Sequence, residues 1–284
     1  MNKKIALITG ANSGVGLATA KGLAAAGFDL ILLVRSEAKA KATKEAVLQR
    51  FPDTKIDHEI ADLEDIDSVK LAVKSIRKKY TKIDRIINNA GYSPDEIYFT
   101  KDGYEKSFVA NHLGHFALTI NLLDLLEASG EGRIINVSST AHALGKVRRF
   151  LIKNDKNLTA FKAYGDGKLA NILFTKGLAK RLVGKPVLAF SLHPGVVGTN
   201  FGGNFTGFSA FLVKLAKPFM ISSEEGAETS LFLATTPLEN IKRNNGKYFA
   251  KSLLKSTSNN DITTDNADWL WEKSLEIVGG FMNK

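Results

Sequence analysis

Ile5-Ala6-Leu7-Ile8-Thr9-Gly10-Ala11-Asn12-Ser13-Gly14-Val15-Gly16 is the stretch on which the fold turns. A short apolar run ends in three glycines spaced G-x-x-x-G-x-G, and a helical pattern follows from Gly16 to Ala26, closed by Gly27. Glycines let a backbone turn tightly and approach a pyrophosphate, and the N-terminus of the following helix stabilises the anion. Gly10, Asn12, Ser13, Gly14, Val15 and Gly16 are therefore candidate cofactor-binding residues. No Gly-Lys-Ser/Thr follows the turn, which excludes a P-loop.

Outward from this unit, apolar β-rich runs alternate with helical patterns. Strands are expected at Ile5–Ile8, Leu30–Val34, Ile56–Ile60, Arg85–Asn88, Arg133–Val137 and Val187–Leu192, with a last one near Lys247–Ala250. Helices are expected near 65–79, 103–129, 160–183 and 223–235. The alternation predicts a parallel α/β sheet with helices on both faces. A closed eight-fold barrel is the competing architecture, and the glycine turn after the first strand favours the open sheet. No repeat or linker divides residues 1–284, so one domain is expected, with a C-terminal elaboration at about 200–225.

Each strand end carries polar residues where an open sheet binds ligands. Arg35 follows Val34, the slot where NAD-binding folds place an acid. A guanidinium pairs with a 2′-phosphate that a carboxylate would repel, so NADP(H) is expected over NAD. Asp62-Leu63 and Asn88-Asn89-Ala90-Gly91 follow the third and fourth strands, and His193-Pro194-Gly195-Val196-Val197-Gly198-Thr199-Asn200 follows the sixth. Tyr164 and Lys168, four apart on a predicted helix, share a face. An ammonium there is expected to lower the phenol pKa, making a general acid/base. Gly165 and Gly167 weaken that helix by on the order of 1 kcal/mol each, which suggests a close approach by something else.

Composition narrows the classes. The 284 residues hold 39 Lys+Arg against 29 Asp+Glu, a formal charge of +10, and 44% hydrophobic residues, enough for a large core. The absence of cysteine excludes disulfide frameworks, thiol nucleophiles and Cys-ligated metals. The histidines show no metal-ligand spacing, so no metal site is expected and they read as structural. The basic clusters lack interleaved aromatics and read as a solvated surface, so no nucleic-acid partner is expected. No apolar run reaches the ~18–20 residues of a membrane span. A cytoplasmic protein is expected, with weak contact to a membrane surface allowed by Phe201, Phe205, Phe208, Phe211, Leu212, Leu215 and Phe219. These form either a core helix or a lid over a lipophilic pocket.

Taken together, the ordered motifs resemble the short-chain dehydrogenase/reductase family in its single-domain branch, over about residues 5–200. Gly246–Phe249 and Asp268–Gly279 are similar to its retinol-dehydrogenase-like subgroup. The resemblance implies a doubly wound (Rossmann) seven-stranded parallel sheet and reversible hydride transfer between nicotinamide and a carbonyl or alcohol. It implies that Tyr164 is the acid/base, with Lys168 binding the nicotinamide ribose and depressing the Tyr164 pKa. Ser139 would polarise the carbonyl, and Asn111 would hold a relay water. Asp62 would meet the adenine, with Leu63 beside it; Asn88, Asn89, Ala90 and Gly91 would line the cofactor. Pro194, Gly195, Val197 and Thr199 would lie at the nicotinamide. Ser139 and Tyr164 stand 25 positions apart, so residues 142–160 read as an insertion bordering the site. The expected substrate is a small molecule, a bulky apolar carbonyl or alcohol; helices 103–129 and 160–183 would pair in a homodimer, a monomer being the alternative. The rival function is a silent NADP(H)-binding sensor or scaffold, against which the complete Asn111, Ser139, Tyr164 and Lys168 set speaks.

Overall fold

A computed structural model describes residues 3–197 and 220–280. Strands β1 (Ile5–Thr9), β2 (Asp29–Val34), β3 (Ile56–Ile60), β4 (Arg85–Asn88), β5 (Gly132–Val137), β6 (Val187–His193), β7 (Tyr248–Ala250) and β8 (Leu253–Lys255) form one sheet in the order β3-β2-β1-β4-β5-β6-β7-β8. The first seven run parallel and β8 pairs antiparallel with β7. The eighth strand is one more than expected. Lys251 and Ser252 take positive φ (52° and 56°) to turn β7 back into β8, with no glycine to mark the turn.

β2 is Asp-Leu-Ile-Leu-Leu-Val, apolar on both faces, as a strand covered by helices on both sides must be. Successive residues serve opposite cores. Leu7, Ile31 and Leu33 join one cluster with Phe116, Phe174 and Trp271, while Ala6, Ile8, Leu30 and Leu32 join the other with Phe190 and Phe249.

The helices are α1 (Gly14–Ala25), α2 (Glu37–Leu48), α3 (Ile66–Lys79), α4 (Lys106–Phe108), α5 (Gly114–Ile120), α6 (Leu123–Glu127), α7 (Ala160–Arg181), α8 (Ser223–Thr235), α9 (Leu238–Ile241) and α10 (Thr264–Val278). Several start where the caps predict. Asp65 accepts from the Asp67 and Ser68 amides, and Ser222 with Glu225 forms a capping box. The single helix expected over 103–129 is instead broken. A π-helical turn at Val109–Leu113 joins α4 to α5, and Asn121-Leu122 separates α5 from α6. The insertion after Ser139 folds as two 3₁₀ turns, Thr140–Leu144 and Val147–Arg149.

Candidate active site

The residues singled out above collect at the carboxyl ends of the strands, centred where the strand order reverses between β1 and β4. Gly10 has φ +65°, and a Cβ on Gly16 would fall 2.2 Å from the Gly10 carbonyl oxygen, so both positions exclude larger residues. Ser13 begins α1 without a side-chain cap, and the first turn holds no acid. That leaves the positive end of α1 open to an anion, whereas α2, α3 and α8 are closed by Ser36, Asp65 and Ser222. This glycine turn fits a dinucleotide pyrophosphate.

Around the turn, Arg35 is exposed, and its charge opposes the burial that raises the Tyr92 phenol pKa. The neighbouring acid, Glu37, is paired with His58 at 2.9 Å. Asp62 is exposed and Leu63 buried; the Asp62 carboxylate accepts from the Glu64 amide. Asn88 and Asn89 part company. Asn88 points into the core and donates to Thr119 and Asn136, so it does not line the cofactor. Asn89 donates to the Thr9 carbonyl at 2.9 Å and so ties the end of β4 to the glycine turn. After β6, Gly195 has φ +103° and donates to His193 Nδ1, beside Pro194. Val197 packs against the space of a Gly226 Cβ together with Val15, bringing the glycine turn and the loop after β6 onto α8. Thr199 and residues 201–219 of the expected lid lie outside the described residues.

The four catalytic candidates come from three elements. Ser139 caps the 3₁₀ turn after β5, accepting from the Ala141 amide at 3.2 Å. Tyr164 and Lys168 come from α7, with Lys168 Nζ 5.6 Å from the Tyr164 ring centre. Asn111 sits in the π-helical turn and donates to the Tyr92 carbonyl at 3.1 Å. Its Oδ1 is buried with no hydrogen-bond partner. A Cβ on Gly91 would lie 2.2 Å from that Oδ1 and 2.9 Å from Lys168 Nζ. The two polar atoms therefore converge on the gap beside Gly91, a separation that one water can bridge.

α7 is held to the sheet by polar side chains. Ser138 donates to the Lys168 carbonyl at 2.7 Å; Lys168 Nζ and Asn171 Nδ2 both donate to the Val137 carbonyl, at 3.2 and 3.1 Å. The helix glycines have the close neighbours their cost suggested. A Cβ on Gly165 would meet the Ala141 carbonyl oxygen at 2.9 Å, and one on Gly167 would meet the Asn111 Cβ at 3.0 Å. Asp166, unremarked in the sequence, binds Arg149 and the Lys146 amide and so pins the 142–160 insertion to α7.

Electrostatics correct one expectation. Burial raises the Tyr164 phenol above its ordinary value, and its hydrogen bond with Ser139 opposes the rise. The expected depression by Lys168 is not what dominates. Burial instead lowers Lys168 itself to about 8, because no carboxylate offsets the loss of hydration. Sequence reasoning also passed over Thr9 and His115. Both are fully buried and bonded to each other at 2.8 Å; a hydroxyl ending β1 and a histidine one helical turn after Asn111 were the available signals.

The profile of the short chain dehydrogenase family matches residues 4–207. The chain belongs to that family. Mouse retinol dehydrogenase 12 is 36% identical over 276 residues, covering 97% of this chain and 86% of the relative. The chloroplastic short-chain dehydrogenase TIC 32 A of Brassica napus is 34% identical over 284 residues, covering 96% and 88%. A crystal structure of an uncharacterised protein from Mycobacterium paratuberculosis superposes with a TM-score of 0.76 at 29% identity, covering 99% of this chain and 95% of that one. The chain is thus a retinol-dehydrogenase-like oxidoreductase of alcohols or carbonyls, and nothing in these likenesses favours a silent scaffold. Among the described residues no helix is long and apolar enough to cross a membrane.

Proposed function

We propose that this short-chain dehydrogenase uses NADP(H) to interconvert a carbonyl and an alcohol on a bulky apolar substrate. The observation that carries the reading is the convergence of Asn111 Oδ1 and Lys168 Nζ on Gly91, with Tyr164 and Ser139 bonded alongside. When bound, the dinucleotide supplies or takes the hydride. Gly10, Asn12, Ser13, Gly14, Val15 and Gly16 would hold its pyrophosphate and Arg35 its 2′-phosphate. Asp62 and Leu63 would flank the adenine, and Asn89, Ala90, Gly91, Pro194, Gly195, Val197 and Thr199 the remainder.

Ser139 and Tyr164 hydroxyls donate to the substrate oxygen and stabilise the charge that develops there. Tyr164, a phenol that is protonated at neutral pH even at its ordinary pKa near ~10, gives its proton to that oxygen in the reductive direction. Lys168 would return a proton to the phenol and regain one from solvent through a water that Asn111 Oδ1 would hold in the gap beside Gly91. The apolar substrate class is supported by the mouse relative, whose name specifies retinol. A cytoplasmic site and a monomer or homodimer complete the reading.

Tyr164→Phe tests the chemistry: turnover of an aldehyde should fall at least a thousand-fold while NADPH affinity stays within about threefold, measured by stopped flow and nucleotide fluorescence. Retained turnover would remove Tyr164 from the mechanism. Arg35→Ala tests the cofactor, and should weaken NADPH at least ten-fold with NADH little changed. Equal losses for both would refute the 2′-phosphate contact. Cell fractionation that finds the chain in an organelle or membrane fraction would overturn the cytoplasmic assignment, and sedimentation gives the assembly state.

A further inference from the structure

Two backbone amides, a hydroxyl, an imidazole and a carbonyl form a closed chain of hydrogen bonds behind the site. The amides of Asn89 and Ala90 donate to Thr9 Oγ1 at 3.0 and 2.9 Å. Thr9 Oγ1 lies 2.8 Å from His115 Nε2, and His115 Nδ1 lies 3.1 Å from the Asn111 carbonyl oxygen. A carbonyl only accepts, so Nδ1 carries the proton and Nε2 presents its lone pair. The Thr9 hydroxyl, with both lone pairs taken by amides, gives its single proton to Nε2. The Asn89 amide is shared, since it also reaches the Ile87 carbonyl at 3.0 Å. Without the imidazole, the acceptor left to the Thr9 proton among the described residues is the Ile87 carbonyl, at 3.5 Å.

We infer that His115 is a positioning residue, whose imidazole fixes the π-helical turn bearing Asn111 against the glycine turn through Thr9. The inference rests on the active-site reading above. Thr9 belongs to the turn proposed to hold the pyrophosphate, and Asn111 aims its orphaned Oδ1 at the gap it shares with Lys168. An apolar ring would fill the same volume and hold neither end. Burial lowers His115 to about 4, its bond to Asn111 opposing and the Lys168 charge adding to the fall. The imidazole therefore stays neutral over the range in which enzymes of this kind work, and the link does not titrate with the reaction.

Two variants separate the ends of the chain. His115→Phe loses both bonds. His115→Asn keeps a donor for the carbonyl four residues back, a geometry α5 already leads into at Asn121, whose Nδ2 donates to the Ala117 carbonyl at 2.8 Å. With an aldehyde that the wild type reduces, chosen from retinal and a straight-chain alkanal series, His115→Phe should lower kcat at least ten-fold with KM changed less than threefold. His115→Asn should recover most of kcat yet bind NADPH several-fold more weakly, because the Thr9 arm is missing. Nitrogen-15 spectra of the wild type should show the His115 ring protonated at Nδ1 from pH 5 to 9. Wild-type kcat in both variants, or a His115 ring that is protonated at Nε2 or titrates near 6.5, would overturn the inference. If His115→Phe does not fold, the ring tautomer and His115→Asn still decide it. Tyr164→Phe run alongside keeps the two readings apart. An inactive Tyr164→Phe with unaffected His115 variants sinks only the positioning role, whereas an active Tyr164→Phe sinks the site itself.

Discussion

Lys168 shows how one buried residue can set activity and stability against each other. Its folded-state value of about 8 lies below the 10.5 of an exposed lysine. Below pH 8 the ammonium is charged in both states, and the full burial penalty, about 3 kcal/mol, opposes folding. Between pH 8 and 10.5 the unfolded chain binds the extra proton, so this group makes stability rise with pH. Lys168→Met should therefore raise the melting temperature by several degrees at pH 7 and flatten that rise, while abolishing turnover. The Val137 carbonyl would keep a donor, Asn171 Nδ2, so the change leaves no orphan there. Thermal melts of both proteins from pH 6 to 10 check this; a less stable Lys168→Met would show that the ammonium's bonds outweigh its desolvation. Gly91→Ala is the complementary change. Its Cβ would displace the end of the Asn111 side chain, and kcat should fall at least ten-fold with the melting temperature nearly unchanged. The residues of the candidate site that the structure brings together were legible in the sequence, because the glycine turn and the Tyr–Lys spacing are local. The sign of the Tyr164 shift was not, since burial depends on which elements close over the phenol. The split between Asn88 and Asn89 was hidden for the same reason: only the pleat of β4 decides which amide faces the core.

Among the elements, seven strands were legible because most are short apolar runs with punctuated ends, β3 (Ile-Asp-His-Glu-Ile) being the polar exception. The break of 103–129 was not, because Lys106–Glu127 keeps an apolar pattern throughout and a π-helical turn leaves no mark in hydrophobic periodicity. α10 had readable boundaries, with Thr263 accepting from the Asn266 amide at its start and Gly279 at φ +81° at its end, yet the segment was singled out only for its family resemblance. α8 raises a different matter, its far end. Two buried arginines at the base of the sheet hold its last carbonyls: Arg85 donates to Ala234 and Arg133 to Leu233. Both also meet Glu131, and Arg85 reaches the Asp84 and Glu131 carbonyls as well. A cationic side chain at a helix C-terminus satisfies carbonyls that have no partner within the helix and complements its dipole. Arg85→Ala should cost about 3 kcal/mol by taking the donor from the Ala234 and Glu131 carbonyls, while Arg133 still holds the Glu131 carboxylate and its amide the Asp84 carbonyl. Urea unfolding gives the loss, and hydrogen exchange should show it spreading through the end of α8. A loss below about 1 kcal/mol would mean that water replaces the guanidinium.

At the scale of the whole molecule, the two cores flank one sheet, and the site lies along its carboxyl edge. α10 belongs to the core on the α7 side. Trp271 stands edge-on to Phe116 at 5.0 Å, near Phe174 at 6.0 Å, under Arg181 at 4.3 Å, and against the Gly177 backbone. Arg181 and Lys180 bind Asp268, and Arg181 also binds Glu272, on the exposed side of the seam. That face of α7 is covered by its own chain. Trp271 anchors the arrangement by burial, and surface ion pairs add little. Trp271→Ala should cost about 3–5 kcal/mol, since neither Gly177 nor the phenylalanines can refill the space. Activity should respond differently. Among the described residues, the side-chain hydrogen bond from α10 to the π-helical turn is between Ser274 Oγ and His112 Nε2, at 2.9 Å, and it involves neither Asn111 nor Lys168. Below its lowered melting temperature, Trp271→Ala should keep kcat within about threefold of wild type, while urea unfolding reports the full loss of stability. A matching collapse in kcat would show instead that α10 governs the turn that carries Asn111.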